Sequence, residues 1–212
     1  DRDGKTGGGN DAFGFGRHPG QYGMLVLSRY PIRHGAVRTF QRLLWKDMPG
    51  ALAPVDADGR PWYPPAAWDA LRLSSKSHWD VPIDTPLGIL HLLASHPTPP
   101  VFDGAEDRNG RRNHDEIRFW GEYVWPRDAD WIVDDHGRRG GLPEDSLFVI
   151  AGDLNADPAD GDGIPGTIVE LLENPRVQRG PGPRSAGAEQ SALIDAGANL
   201  THRGAHAQDT GR

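Results

Sequence analysis

The chain has 212 residues, room for one large domain, and its 28 glycines and 19 prolines commit much of the backbone to loops. Lys and Arg number 23 against 30 Asp and Glu, a formal net charge of −7 with no long basic run. That balance leans against a dedicated nucleic-acid binder but leaves room for an enzyme that touches one phosphate. Cysteine is absent, which excludes disulfides, thiolate metal sites and Cys nucleophiles, and no apolar run approaches the about 20 residues of a membrane-spanning helix. The opening "DRDGKTGGGNDAFGFG" is polar and reads as mid-loop rather than as a signal segment.

Taken in chain order, "YGMLVLSR" (22–29) is a short apolar run closed by Tyr30-Pro31 and predicts a buried strand. "IRHGAVRTF" (32–40) predicts a second strand, weakened by Gly35. From Trp45 to Trp68 five prolines predict an irregular excursion, with Trp45, Trp62 and Trp68 pinning it to the body. "LRLSSKSHWDVPI" and "LGILHLLASH" predict two strands joined through "DTP" as a hairpin. "NHDEIRFWGEYVW" predicts a helix capped by Asn113, with Glu116 completing a capping box and Ile117, Trp120 and Val124 on one face. "SLFVIAGDLN" is the next buried strand, and "GTIVELLENP" a short helix stopped by Pro175. Strands with interspersed helices and long loops suggest an α+β sandwich in which helices cover sheets.

Polar residues stand at three strand ends where a plain turn does not require them. Asp153 and Asn155 follow "LFVIAG", His96 ends "LLASH", and His78 lies on the strand paired with the one that carries His96. Asp and Asn after a strand also serve as ordinary turn formers, and a strand-end His as a packed or capping residue. A rigid sheet nevertheless holds several such side chains at one mouth, where loops complete a site. Arg108, Arg111 and Arg112 in "DRNGRRNHDE" are either solvated helix-entry charge or a patch on the phosphate side.

The wording around these residues carries a resemblance. "GQYGMLVLSRYPI", "LLASHPTPP" and "FVIAGDLNADP" resemble, in order, segments of the endonuclease/exonuclease/phosphatase superfamily, and most nearly its secreted bacterial members. The resemblance implies a deoxyribonuclease I-like four-layer sandwich, two packed and mostly antiparallel sheets flanked by helices, as a single domain over residues 1–212. It implies a metal-dependent phosphoester hydrolase (phosphodiesterase, nuclease or phosphatase) working outside the cell. Asp153 would orient or deprotonate the attacking water, and Asn155 would hold a phosphate oxygen or the metal. His96 would contact the phosphoryl oxygens or serve as acid near the leaving group, with His78, Arg111 and Arg112 as further candidates on the phosphate side. Carboxylate and amide ligands from Asp153 and Asn155 suit Mg²⁺ or Mn²⁺. The strand stops abruptly because the reacting phosphorus sits just beyond it.

The superfamily's metal-binding Glu is expected before Asp1, and its terminal Ser-Asp-His motif after Arg212. The chain is therefore expected to be the middle of a domain, lacking a strand at each end, and residues 1–212 alone to be inactive and poorly stable. A rival of another class is a non-catalytic extracellular module ordered by Ca²⁺, built on the Asp-Gly stretches "DRDG" (1–4), "DADG" (56–59) and "DGDG" (160–163). None of these is followed by the bidentate Glu of an EF-hand, which favours plain loop composition.

Overall fold

A computed structural model describes residues 4–159, 161–178, 180 and 185–201. Four strands form one mixed sheet in the order β1-β2-β3-β4: β1 (Arg38–Thr39), β2 (His78–Thr85), β3 (Gly88–Ser95) and β4 (Leu147–Ala151). β2 and β3 make the expected hairpin, in register from His78↔Ser95 to Thr85↔Gly88. Its turn falls one residue later than "DTP", at Pro86-Leu87, because Gly88 supplies the left-handed backbone (φ 112°) that closes it. β4 runs parallel to β3, from Leu90↔Leu147 to Ala94↔Ala151. A parallel pair needs a crossover, and helix α2 (Arg108–Val124) supplies it.

α2 covers the inner face of the sheet. Ile117, Trp120 and Val124 are fully buried as their spacing predicts, and Trp120 Nε1 donates to Ser95 Oγ at 2.8 Å. Phe40, Phe119 and Tyr123 pack edge-on and stacked around them. The Pro-rich excursion is pinned as expected. Trp45 is buried against Trp68, with centroids 5.2 Å apart, and its Nε1 donates to Asp115 Oδ2. A four-residue helix α1 (Pro65–Trp68) ends that excursion, and α3 (Thr167–Leu172) is the short helix expected before Pro175. α4 (Ala186–Asp195) is capped by Ser185 Oγ.

Several expectations are corrected. Residues 23–28 have no regular secondary structure and join no ladder among the described residues, and Leu25 and Leu27 are 80% and 85% exposed, so "YGMLVLSR" is not a buried strand. Apolar periodicity gave it strand character, but a strand also needs a free ladder edge to pair with. The segment 32–40 follows β2 only intermittently. Ile32 bridges Ile83, a 3-10 turn at His34–Ala36 interrupts, and just two residues form β1. β4 is half-buried rather than buried. Phe148 and Ile150 pack on the core while Leu147 and Val149 on the other face are exposed. The described residues thus build an α+β arrangement of one sheet with helices; a second packed sheet is not among them.

The helix start is corrected as well. α2 begins at Arg108, more than a turn before Asn113, after Asp107 in the left-handed region (φ 50°) and with Asp103 Oδ2 accepting from Asn109 N at 2.6 Å. Asn113 and Glu116 are therefore interior helix residues, buried at 1% and 0% exposure, rather than a capping box.

Candidate active site

The parallel pairing of β3 and β4 makes their C-terminal ends coincide, the edge at which parallel sheets present ligand sites. Two residues beyond the last registered pair, Ala94↔Ala151, stand His96 and Asp153. His96 Nε2 lies 3.7 Å from Asp153 Oδ2; the Asp153 side chain is 66% exposed and that of His96 24%. Asn155, left-handed at φ 50°, donates its backbone N–H to Asp153 Oδ1 at 3.0 Å, an Asx turn, and its Nδ2 to Pro97 O at 3.1 Å. That second bond ties the β4 loop to the β3 loop. His96, Asp153 and Asn155 therefore meet at one mouth. A hollow of about 360 Å³ runs between residues 24–27 and the ends of β3 and β4. The exposed Tyr22 ring stands edge-on to His96, with centroids 6.5 Å apart.

Charge at this mouth includes a group that sequence reasoning missed. Burial holds the His96 imidazole below its ordinary range and the charge of Lys76 acts in the same direction, while Asp153 and Glu116 pull partly back. Lys76 is itself lowered by burial, opposed by Glu116 and Asp153 and assisted by Arg112. No carboxylate oxygen lies within 4.0 Å of its ammonium among the described residues. "SSKSH" carries no periodicity that marks Lys76. The signal was the hairpin register: with His78 opposite Ser95, the chain two residues earlier runs beside the loop that holds His96.

Of the other expected phosphate contacts, His78 and Arg112 are corrected. His78 is 1% exposed, and its ring packs on Phe119 and Trp120. Its Nε2 donates to Glu116 O at 2.8 Å, which leaves Nδ1 to accept from Ser74 Oγ at 3.0 Å. His78 faces α2 together with its register partner Ser95, whereas His96, one residue further on, leaves the sheet. The paired-strand argument placed the wrong face. Arg112 is buried and donates to Leu73 O and Arg72 O, so it organises the loop before β2 rather than a ligand. No hydrogen bond or ion pair joins the Arg111 side chain to His96 or Asp153, and its Nε is buried without a partner.

The oxygen donors here are the Asp153 carboxylate and the Asn155 side-chain carbonyl, and Asp153 Oδ1 already accepts from Asn155 N. No group of three or more His, Asp or Glu converges as cation ligands among the described residues. Mg²⁺ demands octahedral oxygen coordination, so these residues do not compose a cation site on their own. Of the Asp-Gly stretches, Asp56 Oδ1 accepts from Asp58 N and Arg60 N and Asp58 pairs with Arg60, a turn that closes on itself. Asp1–Asp3 and Asp160, which open the other two, lie outside the described residues.

An exposed carboxylate thus stands beside a partly buried imidazole at the mouth of a mixed α+β sheet. The model of the Endonuclease/Exonuclease/phosphatase family matches residues 1–201, and the chain belongs to that family. No curated protein and no solved structure matches it. Members of the family are in general hydrolases of phosphoester bonds and commonly use a divalent cation such as Mg²⁺.

Proposed function

We propose that the protein hydrolyses a phosphoester by direct attack of water at phosphorus, with Asp153 as the base. The observation that carries this reading is the 3.7 Å approach of His96 to an exposed Asp153 at the paired ends of β3 and β4. Water attacking an anionic phosphate brings negative charge against negative charge, so the site must supply donors and a proton acceptor together. Asp153 takes a proton from water as the new P–O bond forms and the bond to the leaving oxygen breaks. His96, largely neutral because burial and Lys76 disfavour its cation, donates an N–H to a phosphoryl oxygen. Lys76 adds the positive charge that the equatorial oxygens need. The net charge of −7 favours small or exposed phosphoesters over a long polyanion.

The test is turnover of an aryl phosphodiester and an aryl phosphomonoester by the full-length protein, with metal supplied. Asp153→Asn keeps the Asx turn but cannot accept a proton, and turnover falls by about 10²–10⁴-fold. Unchanged rates on every ester that the parent cleaves remove Asp153 from the chemistry.

A further inference from the structure

We propose that Glu116, which touches no substrate, is the positioning residue of this site, its carboxylate bolting the Lys76 loop to the His96 loop. The inference rests on the reading of His96, Asp153 and Lys76 as the working groups. Glu116 lies on α2 with 0% exposure, directly beneath the mouth. Its Oε1 accepts from Ser75 N at 2.7 Å, next to Lys76, and its Oε2 accepts from Thr98 N at 2.6 Å, two residues past His96. One side chain thus spans the loop that enters β2 and the loop that leaves β3. A turn earlier, Asn113 Nδ2 donates to Thr98 O at 2.9 Å and Leu154 O at 3.0 Å, which adds the loop of Asp153 to the same anchorage.

The residue type is dictated by the two amides. Both partners are N–H donors, so both atoms at the tip of the side chain must accept. Glutamine presents one acceptor and one donor, leaving an N–H against an NH₂. Aspartate is one methylene too short to reach both loops. Burying a carboxylate is costly unless it is hydrogen-bonded and answered by charge. Glu116 has two short amide bonds, and Lys76 and Arg112 feel its charge.

A carboxylate that merely supported the fold would look similar, and its neighbour supplies the comparison. Asp115 is equally buried on the same helix; its Oδ2 accepts from Trp45 Nε1 at 2.6 Å and Leu52 N at 2.7 Å, and its Oδ1 lies 3.0 Å from His114 Nδ1 and 3.3 Å from an Arg118 guanidinium nitrogen. The Oδ2 bonds hold the Pro-rich excursion, away from the mouth. Glu116→Gln and Asp115→Asn thus each neutralise a fully buried carboxylate on the same helix and differ in what that carboxylate holds.

The full-length protein, both variants and Glu116→Asp are compared by amide exchange and by kcat and KM on an aryl phosphodiester, well below every Tm. In Glu116→Gln the Ser75 and Thr98 amides exchange at least ~10-fold faster, while Val81 and Leu93 keep their protection. Its kcat falls by about 10–100-fold with KM within about threefold, the signature of misplaced groups, whereas Asp115→Asn keeps kcat within about threefold at a comparable loss of Tm. Glu116→Asp retains the charge, reaches one amide and falls between parent and Gln; it decides the matter if Gln does not fold. Unchanged exchange at Ser75 and Thr98, or losses of turnover that track Tm alike at 115 and 116, overturns the proposal. A parent that turns over no phosphoester overturns the functional reading instead, and the clamp then stands or falls on the exchange data.

Discussion

His96 and Asp153 stand 3.7 Å apart because each lies two residues beyond the last registered pair of a parallel ladder, Ala94 and Ala151. The residue between Ala151 and Asp153 sets the direction of the turn. Gly152 has φ 143°, and a Cβ built on it would lie 1.9 Å from Ser95 O, a backbone atom that cannot step aside. Only glycine lets the two strand ends close to this distance.

Gly152→Ala is therefore expected to part the β3 and β4 loops. A substitution at positive φ with a backbone clash costs more than the ~1 kcal/mol of an ordinary Gly-to-Ala change. Urea denaturation reads the stability loss, and turnover on an aryl phosphodiester is expected to fall as for Asp153→Asn. A variant with parental stability and turnover would mean that the loop ends are not held as described.

Lys76 is predicted to trade stability for function. Burial is the largest influence on its ammonium and lowers its pKa, so the folded state disfavours the charge it carries. Lys76→Met removes that cost and is expected to hold or raise Tm while lowering turnover at least ~10-fold, as befits a group placed for its charge rather than its packing. Thermal melts and kinetics on one preparation check both halves. Loss of Tm with retained turnover would make Lys76 a structural residue.

The hairpin, the strand that delivers Asp153 and the apolar face of α2 were legible because each follows from a local pattern; the meeting of His96 with Asp153 was legible from their places at strand ends and from the family resemblance. Ile117, Trp120 and Val124 recur at helical spacing, and the apolar run before Gly152-Asp153 is bounded by turn residues as a strand is. What failed depended on partners distant in sequence. Residues 22–29 have the composition of a strand and join no ladder among the described residues. His78 shares a hairpin with His96 but faces the opposite way, and one residue of strand alternation decides that. Asn113 and Glu116 read as a capping box because their spacing fits one. Their real partners, Ser75, Thr98 and Leu154, lie on loops that no local pattern connects to α2.

The burial of His78 makes a prediction about acid. Burial depresses its pKa from the ordinary 6.5, opposed by the nearby Glu116 charge and by the bond to Glu116 O. In the unfolded chain the ring takes up a proton near its ordinary value, whereas in the folded protein it does so only at lower pH. As pH falls below about 6.5 the unfolded state binds the extra proton first, so stability falls with pH across that window. It is fully present above the window. A single such group contributes a slope of up to ~1.4 kcal/mol per pH unit. His78→Gln keeps an amide donor for Glu116 O but cannot titrate. It is expected to be less stable than the parent at pH 7.5, having lost the ring contacts with Phe119 and Trp120. Between pH 6.5 and 5 its stability should fall less steeply than the parent's. Urea denaturation at half-unit pH steps measures both slopes. Parallel curves for parent and variant would show that His78 takes up its proton as readily in the folded protein as in the unfolded chain, against what its burial requires.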